Sequence, residues 1–246
     1  SREIAGRPGH RETDQRRRSE ALGRDAGFAM RGDKIKTNIL SARIIPNADA
    51  SLAARLGLTE GEKSLGLVTA DCDDVTYVAL DEATKKAAVR VVYARSMYAG
   101  ASNASTKLAG EIIGIIAGET PAEVASGLQA LVHYAECGGA FCTANDDDSI
   151  VYFAHCISRP GSYLSSIAET RPDESIAYLI APPEEAIVGI DAALKAAEVR
   201  MALFYGPPSE TNFAGGLLAG EQASCRAACE AFAAAVCKVA DSPKEY

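Results

Sequence analysis

Three carboxylates stand within four residues at Asp71-Cys-Asp-Asp74. Charges this close repel, so water, backbone N–H groups or a cation must offset them. Two chemistries fit the cluster. Asp caps helix N-termini well, and negative charge suits the positive end of a helix dipole. Three carboxylates exceed what one cap needs, however, and the excess suits recognition of a cationic ligand.

Other reactive side chains are sparse. There is no GxSxG elbow, no GxxxxGK[ST], no GxGxxG after a strand and no HExxH. The three His are His10, His133 and His155. His155 with Cys156 or Cys142 is the one nucleophile–base pairing to consider. Neighbouring strand residues point to opposite faces, which makes Cys156 a poor partner for His155. A zinc site on Cys72 or Cys137 has no CxxC or HxxxH spacing behind it. The expectation is a protein without catalytic residues, metal or cofactor, and not an enzyme.

The carboxylates sit where two elements meet. An apolar run over 65–70 reads as a buried strand, and Val75, Val78, Ala79 and Ala83 follow at helical spacing. Around them the chain alternates. Residues 37–45 read as a strand, and Asn47 to Leu56 as a short helix closed by Gly57. Further strands are expected over 89–93 and 111–117. Between these two lies a loop of small residues, 95–107. Thr120-Pro-Ala-Glu123 is a capping box with Pro in the first turn, opening a helix that runs to about Cys137.

Composition narrows the class. The chain has 246 residues, a net charge of -8 and 48% hydrophobic content. An acidic balance argues against a nucleic-acid partner, which requires a basic face. No apolar run approaches the length of a membrane span. Seven cysteines without framework spacing read as reduced thiols in a cytosolic setting. Residues 1–29 are rich in Arg and Gly and poor in large apolar side chains, so a disordered basic leader is expected there.

The plan then repeats. Asp81-Glu-Ala-Thr-Lys-Lys-Ala-Ala-Val-Arg90 matches Asp191-Ala-Ala-Leu-Lys-Ala-Ala-Glu-Val-Arg200, and Ala109-Gly-Glu111 recurs as Ala219-Gly-Glu221 at the same offset. The chain therefore reads as a tandem duplication, each copy a β-α-β-loop-β-α unit with helices packed on a sheet. The copies differ at the acidic cluster, which becomes Pro182-Pro-Glu-Glu185.

Several stretches carry a family resemblance. They include Ser64-Leu-Gly-Leu-Val-Thr-Ala-Asp-Cys-Asp-Asp-Val-Thr-Tyr77, Val91-Val-Tyr-Ala-Arg-Ser-Met-Tyr-Ala-Gly100, Ser158-Arg-Pro-Gly-Ser-Tyr-Leu-Ser165, Ala177-Tyr-Leu-Ile-Ala-Pro-Pro183 and Pro207-Pro-Ser-Glu-Thr-Asn-Phe213. The chain resembles the tandem, circularly permuted shell proteins of bacterial microcompartments, in particular those of ethanolamine utilisation. The resemblance implies an α+β fold of two circularly permuted BMC domains, 30–141 and 142–246. It implies a homotrimeric, pseudohexameric tile that joins other shell proteins in a microcompartment shell within the cytoplasm. A central pore gated by loops over 95–105 and 204–211 is implied too, with Arg95, Met97, Tyr98, Gly100, Tyr205, Pro207 and Pro208 as gate residues. Small pores binding ethanolamine complete the picture, lined by Asp73, Asp74, Glu111, Phe141, Thr211, Asn212 and Phe213.

These residue types suit that ligand. Carboxylates pair with a primary ammonium, Phe offers a cation–π face, and Thr or Asn bonds a hydroxyl. The competing reading is a cytosolic small-amine binding or sensor protein using the same pocket. Assembly state separates the two.

Overall fold

The structure, a computed structural model, describes residues 30–97, 111–207, 209 and 211–245. The expected leader lies outside them. Strands β1 (Lys34–Ile35) and β2 (Ile39–Ile45) lead to α1 (Ala50–Arg55), β3 (Ser64–Ala70), α2 (Asp73–Lys86), β4 (Val89–Ser96) and β5 (Ile112–Gly118). Then follow α3 (Pro121–Cys137), β6 (Phe141–Thr143), β7 (Val151–Ile157), α4 (Ser162–Ala168) and β8 (Ser175–Ala181). The chain ends with α5 (Pro183–Ala196), β9 (Val199–Tyr205), β10 (Ala214–Gly220) and α6 (Gln222–Asp241).

Two antiparallel sheets result, ordered β2-β3-β5-β4 and β1-β6-β7-β8-β10-β9. The four long strands of each copy thus reappear in matching order, β2-β3-β5-β4 against β7-β8-β10-β9. Each sheet carries two long helices on one face: α2 and α3 pack through Leu80, Ala83, Leu128 and Leu131, α5 and α6 through Ile190, Ala193, Phe232 and Val236. This is an α+β fold. The short pair β1–β6 ties the start of the chain to the edge of the second sheet.

The duplication extends to fine geometry. Arg90 forks onto Glu62, with Nε to Oε1 at 3.0 Å and Nη2 to Oε2 at 2.6 Å, and donates to the Gly57 carbonyl at 2.9 Å. Arg200 makes the same fork onto Glu174 and donates to the Glu169 carbonyl at 2.9 Å. Gly57 and Glu169, each just past a short helix, both adopt the left-handed conformation, at φ 64° and 47°. Glycine takes that conformation readily, whereas Glu takes it against its Cβ.

The helix starts need two corrections. The residue at the N-cap of α2 is Cys72, and no side chain caps it. Asp71 is occupied elsewhere, accepting from the Asn38 backbone N–H at 2.8 Å and its Nδ2 at 2.7 Å. At α3 the Thr120 hydroxyl does accept from the Glu123 N–H at 3.2 Å. The Glu123 carboxylate turns instead to the Ala88 N–H, at 3.0 Å.

Candidate functional site

Asp73 and Asp74 leave the first turn of α2 and are buried, at 7% and 6% exposure. With Asp71 spent on Asn38 and no side-chain cap on α2, capping does not account for them. Asp73 accepts from the Asp74 N–H at 2.9 Å. Asp74 accepts from the Tyr178 hydroxyl at 2.8 Å, across the seam between the two sheet-and-helix units. Tyr178 is the one aromatic side chain in strand β8, every residue of which is buried. A buried phenol requires a partner, and that requirement was the available sequence signal for this otherwise missed residue.

The electrostatics are those of a crowded acidic site. Burial raises the pKa of Asp73, and burial followed by the Asp73 charge drives Asp74 well above the ordinary carboxylate range. Glu111 adds to the push on Asp74. Burial likewise raises the Cys72 thiol, which keeps it unreactive.

The aromatic members form their own line. Phe141 stacks on Phe153 at 5.3 Å and lies 6.0 Å from Phe213. Phe153 meets Tyr178 edge-on at 5.5 Å, and Tyr178 stacks on Tyr205 at 6.4 Å. Packing therefore runs from Phe213 through Phe141, Phe153 and Tyr178 to Asp74. Phe141 is buried and belongs to the shared core of Val75, Val78, Ile176 and Tyr178. Thr211 is buried near the Ser209 hydroxyl, while Asn212 is exposed with φ 64°.

The expected gate residues fall partly within strands. Arg95 and Ser96 extend β4 by pairing with Ile113 and Ile112, so the expected loop begins later than Arg95. Tyr205 pairs with Gly215 as the last residue of β9. The Met97 N–H donates to the Glu111 carbonyl, and Pro207 is exposed. Tyr98, Gly100 and Pro208 lie outside the described residues.

The thiol–imidazole reading fails on geometry. His155 Nε2 bonds the Tyr134 hydroxyl at 2.6 Å, and its ring stacks on Phe153. Cys156 lies on the other face of β7, packed toward α6. Cys142 pairs across the sheet with Tyr152, which also faces α6. His133 is exposed. Among the described residues no group of three or more His, Cys, Asp or Glu is placed to hold a metal, and no helix is long and apolar enough to cross a membrane.

Two related sheet-and-helix units thus stand in one chain, with an acidic cluster at their seam. The BMC domain pattern matches residues 64–145. The bacterial microcompartment shell protein EutL of Clostridium perfringens (strain 13 / Type A) is 61% identical over 214 residues, spanning 87% of this chain and 99% of that protein. EutL of Escherichia coli (strain K12) is 49% identical over 211 residues, spanning 86% and 96%. The crystal structure of the ethanolamine utilization protein EutL from Leptotrichia buccalis C-1013-b superposes with a TM-score of 0.86 at 63% identity, covering 88% of this chain and all of that one. The chain belongs to the EutL family of bacterial microcompartment shell proteins. It is a structural component of the shell and not an enzyme.

Proposed function

We propose that this chain builds a homotrimeric tile of an ethanolamine-utilisation microcompartment shell, alongside other shell proteins, and that its acidic site takes ethanolamine. The single observation that carries the assembly is a mismatch between two equivalent helices. On α2, Thr76, Ala79, Leu80 and Ala83 are buried, and their counterparts Ala186, Gly189, Ile190 and Ala193 are the buried set on α5. Beyond these, α2 also buries Asp73, Asp74, Val75, Val78 and Asp81. The matching face of α5 is open, with Ile187 and Val188 each 43% exposed.

The surface that would receive this face is partly open, with Leu67 and Ile113 half-buried. Val75 and Val78 of α2 cover Ile157, Ile176, Tyr178 and Leu217 of the second sheet, together with Leu164 of α4. The equivalent side of the first sheet holds Leu65, Leu67, Ile113 and Ile115, packed with Ala48, Leu56 and Leu58 from either side of α1, which buries no residue of its own. Leu52 there is 42% exposed. A second copy placing α5 over this side repeats the internal contact between chains. Such a contact is head-to-tail and closes into a ring when its rotation allows. Three chains of two units then give six related positions, with 30–141 and 142–246 as the two domains.

For the ligand, Asp73, Asp74 and Glu111 pair with the ammonium, Phe141 or Phe213 offers an aromatic face, and Thr211 or Asn212 bonds the hydroxyl. Support comes from two buried carboxylates that capping does not use and from the name carried by the Leptotrichia relative. The gate over 95–105 and 204–211 rests on the small-residue composition of the first segment and the prolines of the second. Light scattering tests the assembly. A particle of three times the 25.7 kDa chain mass is expected, and a stable monomer at micromolar concentration overturns the tile.

A further inference from the structure

Resting on that reading of the site, we propose that Asp73 and Asp74 share one proton when the site is empty, and that a primary ammonium displaces it on binding. The two carboxyls are consecutive, both buried, and both at the start of one helix. Among the described residues the donors in reach include the Asp74 N–H, the Ser96 hydroxyl and the Tyr178 hydroxyl. Asp73 Oδ1 takes the Asp74 N–H, and Asp74 Oδ1 takes the Tyr178 hydroxyl. Among the described residues, the other groups facing them are neutral or acidic in kind: Cys72 on the same turn, Glu111 ahead of β5, Ser96 on β4, and Tyr178 and Tyr205 on β8 and β9. Two buried carboxylates side by side do not both ionise; one keeps its proton. The direction of both pKa shifts agrees.

An arriving ammonium brings the positive charge that lets the second carboxyl ionise. The exchange balances without a further reactant. The ligand keeps its three N–H protons, one carboxyl O–H proton leaves to solvent, and the net charge of the site is unchanged. Binding of this kind tightens as pH rises, until the pair is fully ionised in the empty protein.

Calorimetry of the full chain with ethanolamine hydrochloride, run at one neutral pH in phosphate and in HEPES, reads the exchange directly. The buffers differ in ionisation heat, so the difference in apparent binding heat reports protons released. About one proton per site is expected, with affinity rising up to about tenfold per pH unit below the pair's upper titration. Asp73→Asn should bind with no proton released. Binding without proton release in the wild type overturns the exchange while leaving the amine site standing. Carboxyl carbon-13 NMR of the unliganded wild type provides a measurement free of ligand and variant. Asp73 and Asp74 both titrating in the ordinary carboxylate range overturns the shared proton. Absence of ethanolamine binding overturns the reading of the site and the exchange with it.

Discussion

The Asp81 carboxylate accepts from the Leu164 backbone N–H at 2.9 Å, fastening α2 of the first unit to the start of α4 in the second. Its other oxygen takes the Gly161 N–H at 2.6 Å, and Asp81 has no solvent exposure. Gly161 makes the approach possible, since a Cβ there would stand 2.7 Å from the Asp81 carbonyl oxygen. Removing this carboxylate strands two buried donors. Asp81→Ala is expected to cost about 3–6 kcal/mol, two hydrogen bonds to a charged group being worth about 1.5–3 each. Its repeat counterpart Asp191 pairs with Lys195 on the surface, so Asp191→Ala should stay within about 0.5 kcal/mol. Thermal melts at matched protein concentration compare the two.

The outer faces of α2 and α5 make opposite predictions for one substitution. Val188→Asp should leave the chain folded and reduce the trimer to monomers, because Val188 lies on the open face of α5. Val78→Asp should unfold the chain, because Val78 is fully buried between the units. Light scattering paired with circular dichroism separates the outcomes. A trimer that survives Val188→Asp moves the contact elsewhere.

Acidity should stabilise the empty site. The folded chain holds on the Asp73–Asp74 pair a proton that the unfolded chain has released, in a window opening at about pH 4 and closing at the raised titration of the pair. Stability falls with rising pH wherever the folded state binds more protons. His155, whose pKa burial lowers, acts in the other sense below about pH 6.5. Wild type and Asp73→Asn/Asp74→Asn must therefore be compared at each pH. The wild type should lose melting temperature relative to the variant as pH rises from about 4 through the raised titration of the pair.

The same double variant tests the ligand. Ethanolamine binding should weaken at least about tenfold, one charge-assisted contact being worth about 1.5–3 kcal/mol. Unchanged affinity by calorimetry relocates the amine.

Glu169 offers a stabilising change. It holds φ 47° where the first unit has Gly57, and its carbonyl, which receives Arg200, belongs to the backbone and survives substitution. Glu169→Gly should raise stability by about 0.5–1 kcal/mol, read as a higher denaturant midpoint.

Much of this architecture was legible from residue order. The strand expected over 65–70 is Ser64–Ala70, and the helix opened by Thr120 ends at Cys137 as its pattern requires. The duplication stood in the spacing of Asp81 and Arg90 against Asp191 and Arg200. What escaped lacked local signal. Helix α4 has no side-chain cap of its own, because its cap is Asp81, eighty residues earlier. Strands β1 and β6 hold two and three residues, too few for any period to register. In the site, carboxylate type and spacing identified Asp73 and Asp74, but which one meets Tyr178 depends on how the second unit docks.

Fusing two units into one chain makes the Asp81 seam independent of protein concentration. Within a chain, partners meet at an effective concentration of roughly millimolar, however dilute the solution. The open face of α5 has no such tether, so whatever covers it obeys mass action. Dilution should therefore part an assembly at α5 while α2 stays covered. Each released piece would carry Asp74 still bonded to Tyr178, so the carboxylate pair outlives the particle.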